Sequence, residues 1–272
     1  MTQRTIRRRC AAFLAIGAMA ALAMPSTAQA APQLADLDAK QSMSVKASNG
    51  ERLEGKDLHA IQLATYTAAS VDDNTIVGYD LTTNTALASD ITAAAKTAGA
   101  TDANLTVNGK NDPMVWVVKN LTDSRSDPWS GKLRNFCNSL AKQTNFAKQE
   151  GTAVATLSQD KTTMSTGNVL VPGIYAIVDR TPATTTPSGG TAVKTTASIM
   201  MMNGTAVNGI SQLRTASGTT LTLGQVIYKV SSVETPDKKV NVGSTWKDSA
   251  SEAIGKNLTY RVTQKIPNWT GY

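Results

Sequence analysis

Hydrophobic and polar positions alternate through much of the chain, and this period of two predicts β-strands. The clearest stretch is 58–66, and a second runs over 42–45. Between them, Ser48-Asn49-Gly50 predicts a hairpin turn, because Asn-Gly is the strongest short hairpin signal. Pro172-Gly173 likewise predicts a turn, and 231–236 predicts a linker that Pro236 interrupts. Further strands are predicted at 168–171, 174–178, 197–202 and 226–230.

Two stretches change to helical spacing. Asp90 can cap a short helix over 91–97 that Gly99 ends. A second helix is predicted to begin at Ser130 and to end before Gly151. Its apolar residues recur every three or four positions and form one stripe, which consists of Leu133, Phe136, Cys137, Leu140 and Ala141. The sequence therefore predicts a mainly β protein with one or two inserted helices.

The last forty residues begin a β-structure that the given sequence does not finish. Leu258, Tyr260, Val262 and Ile266 alternate with polar residues, as a strand with one buried face requires. Independent stability takes at least three strands that share an apolar face. We therefore expect the domain that starts at residue 233 to be C-terminally truncated at Tyr272.

The N-terminus has the pattern of a secretory signal peptide over 1–30. An arginine-rich start precedes an apolar run, and Ala28-Gln29-Ala30 predicts cleavage after Ala30. Cleavage removes four of the 27 basic residues and none of the 20 acidic ones, so the formal net charge falls from +7 to +3. The remaining charge gives little support for nucleic-acid binding.

Cleavage would also remove Cys10 and leave Cys137 as the single cysteine. No internal disulfide can then form, although exported proteins often depend on disulfides. Cys137 lies on the apolar helical stripe and is expected to be a buried small hydrophobe. Stabilisation of the exported chain is therefore expected to come from another source.

Several segments together resemble a known family. They are HAIQLATYT at 59–67, VPGIYAIVD at 171–179 and ASIMMMNGT at 197–205, followed near the C-terminus by PDKKV, WKDSA and AIGKNLTYRVT. In order and spacing, these segments resemble the backbone pilins that sortases polymerise on Gram-positive bacteria. The resemblance implies a sandwich-like N-terminal fimbrial domain over 31–232 and the first strands of an Ig-like, isopeptide-forming domain over 233–272.

The resemblance also implies an intramolecular crosslink between a lysine and an asparagine. The family's reactive lysine lies two residues before a core valine, which corresponds to Lys238 before Val240. Strand alternation puts these two on one face, and Lys239 on the other face, towards solvent. The alternative is that both lysines are exposed edge residues, the usual position of lysine. The partner asparagine and the assisting acid are expected beyond Tyr272.

A second lysine would join successive subunits. The nearest counterpart is Lys229 in QVIYKVSS, although the family's Trp and Val-x-Val-Tyr-Pro-Lys pattern is absent. The alternative is an ordinary solvent-facing strand residue. The partners implied are a class C sortase, identical subunits and a tip adhesin, with peptidoglycan attachment only in a full-length version. The implied location is the cell wall or pilus of a Gram-positive bacterium.

Other functions have less support. An adhesin module that binds host glycan or matrix protein is the main alternative to a structural pilus subunit. A hydrolase is disfavoured because His59, the only histidine, lies in a strand pattern typical of a structural residue. The acidic residues near Asp72 and Asp123 lack calcium-loop spacing. We therefore expect no enzyme activity, no metal and no cofactor.

Overall fold

The computed structural model describes residues 32–48, 52–121, 131–182, 185–188, 191–195, 200–215, 218–228, 232–234, 237–251 and 254–263. The signal peptide and its cleavage site at Ala30 lie outside these ranges. The fold is mainly β, as predicted, with several sheets and few helices. None of the helices in these ranges is long and apolar enough to span a membrane. The domain boundary at 232 stays a prediction.

Most of the described elements are strands, and the helices lie together in the middle of the sequence. The helices are α1 (Ala88–Thr97), α2 (Pro113–Asn120), α3 (Lys132–Leu140) and α4 (Thr144–Ala147). The strands are, in chain order, β1 (Gln33–Leu34), β2 (Ser44–Ala47), β3 (Leu58–Asp72), β4 (Thr75–Thr83), β5 (Thr106–Val107), β6 (Lys110–Asn111), β7 (Thr152–Ala153), β8 (Thr156–Leu157), β9 (Thr163–Ser165), β10 (Gly173–Asp179), β11 (Thr185–Ser188), β12 (Thr191–Thr195), β13 (Met201–Gly204), β14 (Gln212–Arg214), β15 (Thr220–Thr222), β16 (Gln225–Tyr228), β17 (Ser232–Glu234), β18 (Asp237–Val242), β19 (Thr245–Lys247) and β20 (Tyr260–Thr263).

The main sheet has the strand order β13-β10-β3-β4-β14-β15, and β1 and β7 also pair with β3. The predicted strand 58–66 is the first part of β3, which continues to Asp72. Asp73 and Asn74 then reverse the chain into β4, both with positive φ. Short polar residues such as Asn and Asp tolerate this left-handed region better than other non-glycine residues. A 15-residue strand thus becomes one arm of a long hairpin.

One face of the main sheet is covered by helices. The buried stripe of α3, formed by Phe136, Cys137 and Leu140, joins residues of α1, α2, β3 and β10 in a single hydrophobic core. This confirms the burial of Cys137 and most of the predicted stripe, with Leu133 packed against the same core, but Ala141 follows the helix and is exposed. The helix ends at Leu140 and not near Gly151, since a separate turn of helix, α4, follows. The predicted cap Ser130 lies outside the described residues.

A four-stranded sheet, β16-β2-β9-β8, shares a second core with the other face of β10. Its strand β2 pairs in parallel with β16 and antiparallel with β9. The predicted hairpin between 42–45 and 58–66 is therefore wrong, because β2 and β3 belong to different sheets. Partners distant in the sequence supply the hydrogen bonds of β2. Residues 49–51, which include most of the predicted turn, are outside the described ranges.

The predicted linker 231–236 contains strand β17, which pairs antiparallel with β12. Its part as a boundary between two domains stays a prediction. The backbone of this short segment completes a three-stranded sheet with β11 and β12. Backbone pairing of this kind depends on the position of the partner strand, which the local sequence does not encode.

Asp90 binds the N-terminus of a different helix from the one it was predicted to cap. Helix α1 begins at Ala88, so Asp90 lies within its first turn. Its carboxylate accepts hydrogen bonds from the backbone N–H of Phe146 at 2.8 Å and from Asn145 Nδ2 at 3.0 Å. A carboxylate at a helix N-terminus satisfies otherwise unpaired N–H groups. Asp90 thereby attaches α4 to α1 and is 6% exposed.

Pro172-Gly173 does not form the predicted turn. Gly173 is the first residue of β10 and pairs with Thr65 of β3. A Cβ atom at Gly173 would lie 2.1 Å from the carbonyl oxygen of Ala64. Glycine is needed here for the close approach of two backbones, not for a reversal of the chain.

Replacement of Gly173 by alanine should lower the free energy of unfolding by about 1–3 kcal/mol, because the added methyl group must displace backbone. Gly78→Ala is the matched control, since nothing lies within 4 Å of a Cβ at that strand position. Gly78→Ala should lower the free energy of unfolding by no more than about 0.5 kcal/mol. Urea denaturation of both variants measures the difference, and equal effects would contradict the close-approach explanation.

Replacement of Asp90 by alanine should destabilise the protein by about 1–3 kcal/mol, because it leaves the buried N–H of Phe146 unsatisfied. Asp102→Ala provides the comparison, since the Asp102 side chain is 84% exposed in its ion pair with Lys96. Exposed pairs contribute at most about 1 kcal/mol. Thermal unfolding of the two variants should therefore give a clearly larger loss for Asp90. A similar loss in both would argue against the helix-capping role.

Candidate functional site

The predicted reactive lysine lies in a three-stranded antiparallel sheet with the order β19-β18-β20. A tight turn at Gly243 and Ser244, both with positive φ, joins β18 to β19. Of the predicted alternating residues, Tyr260 and Val262 lie in β20, whereas Leu258 precedes this strand. The remainder of that predicted strand, including Ile266, is outside the described residues.

The strand register places Lys238 in an apolar row. Lys238 pairs with Val262, and Val240 pairs with Tyr260. Directly opposed residues of an antiparallel pair project from the same face, so these four side chains lie together. The predicted sharing of one face by Lys238 and Val240 is confirmed. We call this side of the sheet the lysine face.

The lysine face is mostly uncovered. Tyr260 is 51% exposed and Val262 is 63% exposed, whereas Val240 is buried. The side chain of Lys238 is exposed, and its ammonium lies 4.5 Å from the centroid of the Tyr260 ring. This geometry allows a cation–π interaction. In the described part of the chain, however, the amine does not have the buried environment that isopeptide chemistry needs.

Lys239 projects from the opposite face, as predicted, but it is not simply a solvent-facing side chain. Its ammonium forms ion pairs with Asp248 and, at 3.5 Å, with Asp237, and 27% of the side chain is exposed. The hydrogen bond to Asp248 is the main cause that raises the pKa of Lys239 above its ordinary value. On the same face, the Arg261 guanidinium stacks 4.7 Å from the Trp246 ring. The two faces of the sheet therefore differ in chemistry.

The other predicted site residues do not join Lys238. Lys229 lies outside the described residues, so its role in joining subunits stays a prediction. Cys137 is 4% exposed in the helical core, far in sequence from the strands of the lysine face. No group of three or more histidine, cysteine or acidic side chains that could hold a metal occurs in the ranges that the structure describes.

His59 lies in β3 and is mostly covered, with 20% of its side chain exposed. Its Nε2 atom is 2.8 Å from Asp57 Oδ1. Within the described ranges, neither a serine hydroxyl nor a cysteine thiol forms a hydrogen bond with the imidazole ring. The Nδ1 atom is buried without a hydrogen-bond partner in the part of the chain that the structure describes, and the structural role of His59 stays a prediction.

A polar connection between the second sheet and β10 was missed by the sequence interpretation. Tyr228 is almost completely buried, and its hydroxyl donates a hydrogen bond to the Asp179 carboxylate. Burial alone would raise the pKa of Asp179, but hydrogen bonds from Thr181 and Tyr228 outweigh it and lower the pKa below its ordinary value. Lys56 lies 5.6 Å from the Tyr228 ring centroid. Nothing in the local sequence links positions 179 and 228, so only the fold identifies this pair.

Comparison with known proteins adds no further assignment. No model of a known protein family matches the chain, and no curated protein matches it significantly.

The environments of the two adjacent lysines predict different responses in acylation. Only the neutral amine is nucleophilic, so the raised pKa of Lys239 should slow its reaction with an N-hydroxysuccinimide ester near neutral pH. Asp248→Asn should lower that pKa and increase the acylation rate of Lys239 severalfold. The rate at Lys238, on the opposite face, should stay unchanged and serves as the internal control. Peptide mass spectrometry after timed labelling measures both rates, and an unchanged rate at Lys239 would contradict the assigned ion pair.

Proposed function

We propose that the chain is a structural subunit of a covalently polymerised surface pilus, with Lys238 as the lysine of an internal isopeptide bond. In this proposal, residues 31–232 form a sandwich-like fimbrial domain and residues 233–272 begin an Ig-like one. The observation that carries the proposal is the position of Lys238 within the apolar row of Val240, Tyr260 and Val262.

Exposed apolar side chains such as Tyr260 and Val262 favour association of this face with another layer. Lysine is almost never fully buried without a partner, because removing the ammonium from water is costly. If a second sheet covered the lysine face, the same apolar neighbours would exclude water from the amine. Burial favours neutral lysine and a protonated carboxyl group, which are the two states the crosslinking reaction uses.

The proposed reaction has a simple balance. The neutral Nζ of Lys238 attacks Cγ of an asparagine side chain, an amide bond forms, and one ammonia leaves. A nearby buried carboxyl group transfers the protons. Correct placement of the two reacting groups supplies much of the rate, because their encounter is intramolecular. The bond would crosslink the domain covalently, as disulfides do in many exported proteins.

The pilus role extends the same proposal to assembly. A class C sortase would join identical subunits through a lysine, with Lys229 as the candidate. The signal-peptide pattern at 1–30 supports export, and attachment to the cell wall would place the subunit on the surface of a Gram-positive bacterium. Its function would be mechanical, since a crosslinked β-domain resists force and proteolysis.

The test is the intact mass of a version extended through the downstream reading frame. We expect a mass lower by one ammonia than the sequence requires, and we expect Lys238→Ala to restore the full mass. Lys239→Ala is the matched control, since this neighbour projects from the opposite face, and the ammonia loss should persist. Tandem mass spectrometry should locate a branched peptide at Lys238.

Two outcomes would contradict the proposal. If the extended protein had the mass that its sequence requires, no crosslink would be present. If the ammonia loss persisted in Lys238→Ala, this lysine would not be the one that forms the crosslink. A succinimide at Asn108-Gly109 would also lose ammonia, but that loss would not depend on Lys238.

A further inference from the structure

A pocket opens beside the helical core at the end of β10. Its volume is about 220 Å³, and its apolar walls include Ile61, Phe146, Val178 and Met200. Ile61 and Phe146 belong to the buried core, so the floor of the pocket is apolar. Sites for drug-sized ligands have volumes of about 300–1,000 Å³. This pocket is smaller and fits a compact ligand, such as a single ring or a branched alkyl group.

The pocket also has a cationic wall, formed by Arg180. The Arg180 backbone N–H donates to Asp57 O at 2.8 Å, which extends the pairing of β10 with β3. The guanidinium donates to the carbonyl oxygen of Glu150 at 3.0 Å and to that of Gln149. Both acceptors are neutral carbonyl groups. Among the described residues, no ion pair neutralises Arg180.

Asp179, which also lines the pocket, does not supply the missing negative charge. Its carboxylate accepts from the Thr181 backbone N–H at 2.8 Å and from the Tyr228 hydroxyl. Asp179 pairs with Leu58 of the second core, whereas its neighbour Val178 packs against the first. The carboxylate therefore lies on the opposite side of β10 from the apolar walls, and the pocket is left with a positive charge.

We propose that this pocket binds a small apolar carboxylate. The apolar part of the ligand would lie against Ile61, Phe146 and Val178, where its removal from water is favourable. The carboxylate would accept hydrogen bonds from the guanidinium of Arg180. This group has five N–H donors, and among the described residues it donates to two carbonyl oxygens, so donors remain for the ligand. Charge-assisted bonds of this kind are about twice as strong as neutral ones. This binding function is independent of the crosslink proposed for Lys238.

Phenylacetate is a suitable probe, and phenylacetamide is its neutral control of the same shape. Titration of the full chain, followed by methyl NMR, should give saturable shifts at Ile61, Val178 and Met200. A ligand of this size should bind with a dissociation constant on the order of 1 mM. The amide should bind at least about tenfold more weakly, because it lacks the charge that faces Arg180.

Two variants test the pocket in different ways. Ala147→Leu should fill it from the exposed side of α4 and weaken phenylacetate binding at least about tenfold, without removal of any Arg180 hydrogen bond. Arg180→Gln should weaken binding by a similar factor while it spares the apolar walls. Arg214→Gln, at an exposed position of β14, is the control and should change the affinity less than twofold.

Thermal unfolding would show that each variant is folded, which matters most for Arg180→Gln because it also loses bonds to Gln149 and Glu150. The proposal would be overturned by the absence of saturable shifts, by shifts confined to residues outside the pocket, or by equal binding of amide and carboxylate. Undiminished binding to the folded Ala147→Leu variant would overturn it as well.

Discussion

The close antiparallel pairing of β3 with β10 is the constraint on which the rest of the N-terminal structure depends. Residues of β10 alternate between two cores, with Ile174 and Ala176 on the helical side and Tyr175 and Ile177 on the other. The pairing begins where Gly173 meets the Ala64 carbonyl, at a distance that no side chain would permit. The helical layer and the second sheet are therefore both attached to one pair of strands.

Polar side chains then hold the layers in place at a few buried points. Asp90 connects α1 to α4, and Tyr228 connects the second sheet to Asp179 of β10. Each bond satisfies a buried group whose desolvation would otherwise cost about 1–3 kcal/mol. Since Cys137 is buried in the core, these contacts and apolar packing, rather than a disulfide of this residue, stabilise the described fold.

Features that depend on local periodicity could be predicted from the sequence, whereas strand pairings between distant segments could not. Spacing alone predicted the strand at 58–66, most of the apolar stripe of α3 and the shared face of Lys238 and Val240, and these are observed. The parallel partner of β2 lies about 180 residues away in β16, so no turn signal could reveal it. Pro172-Gly173 was misread for a related reason. A glycine required by a close approach has the same sequence appearance as one required by a turn.

On the lysine face, the reactivity of the Lys238 amine depends on whether another layer covers it. As described, Lys238 is an exposed amine above an aromatic ring. Val262 and Tyr260 remain largely exposed around it, although exposed apolar rows on a sheet favour association with another layer. A layer placed on this face would gain the burial of these side chains and would at the same time desolvate the amine. The hydrophobic gain would thus help to offset the cost of a buried lysine, and the proposed crosslink would remove its charge permanently.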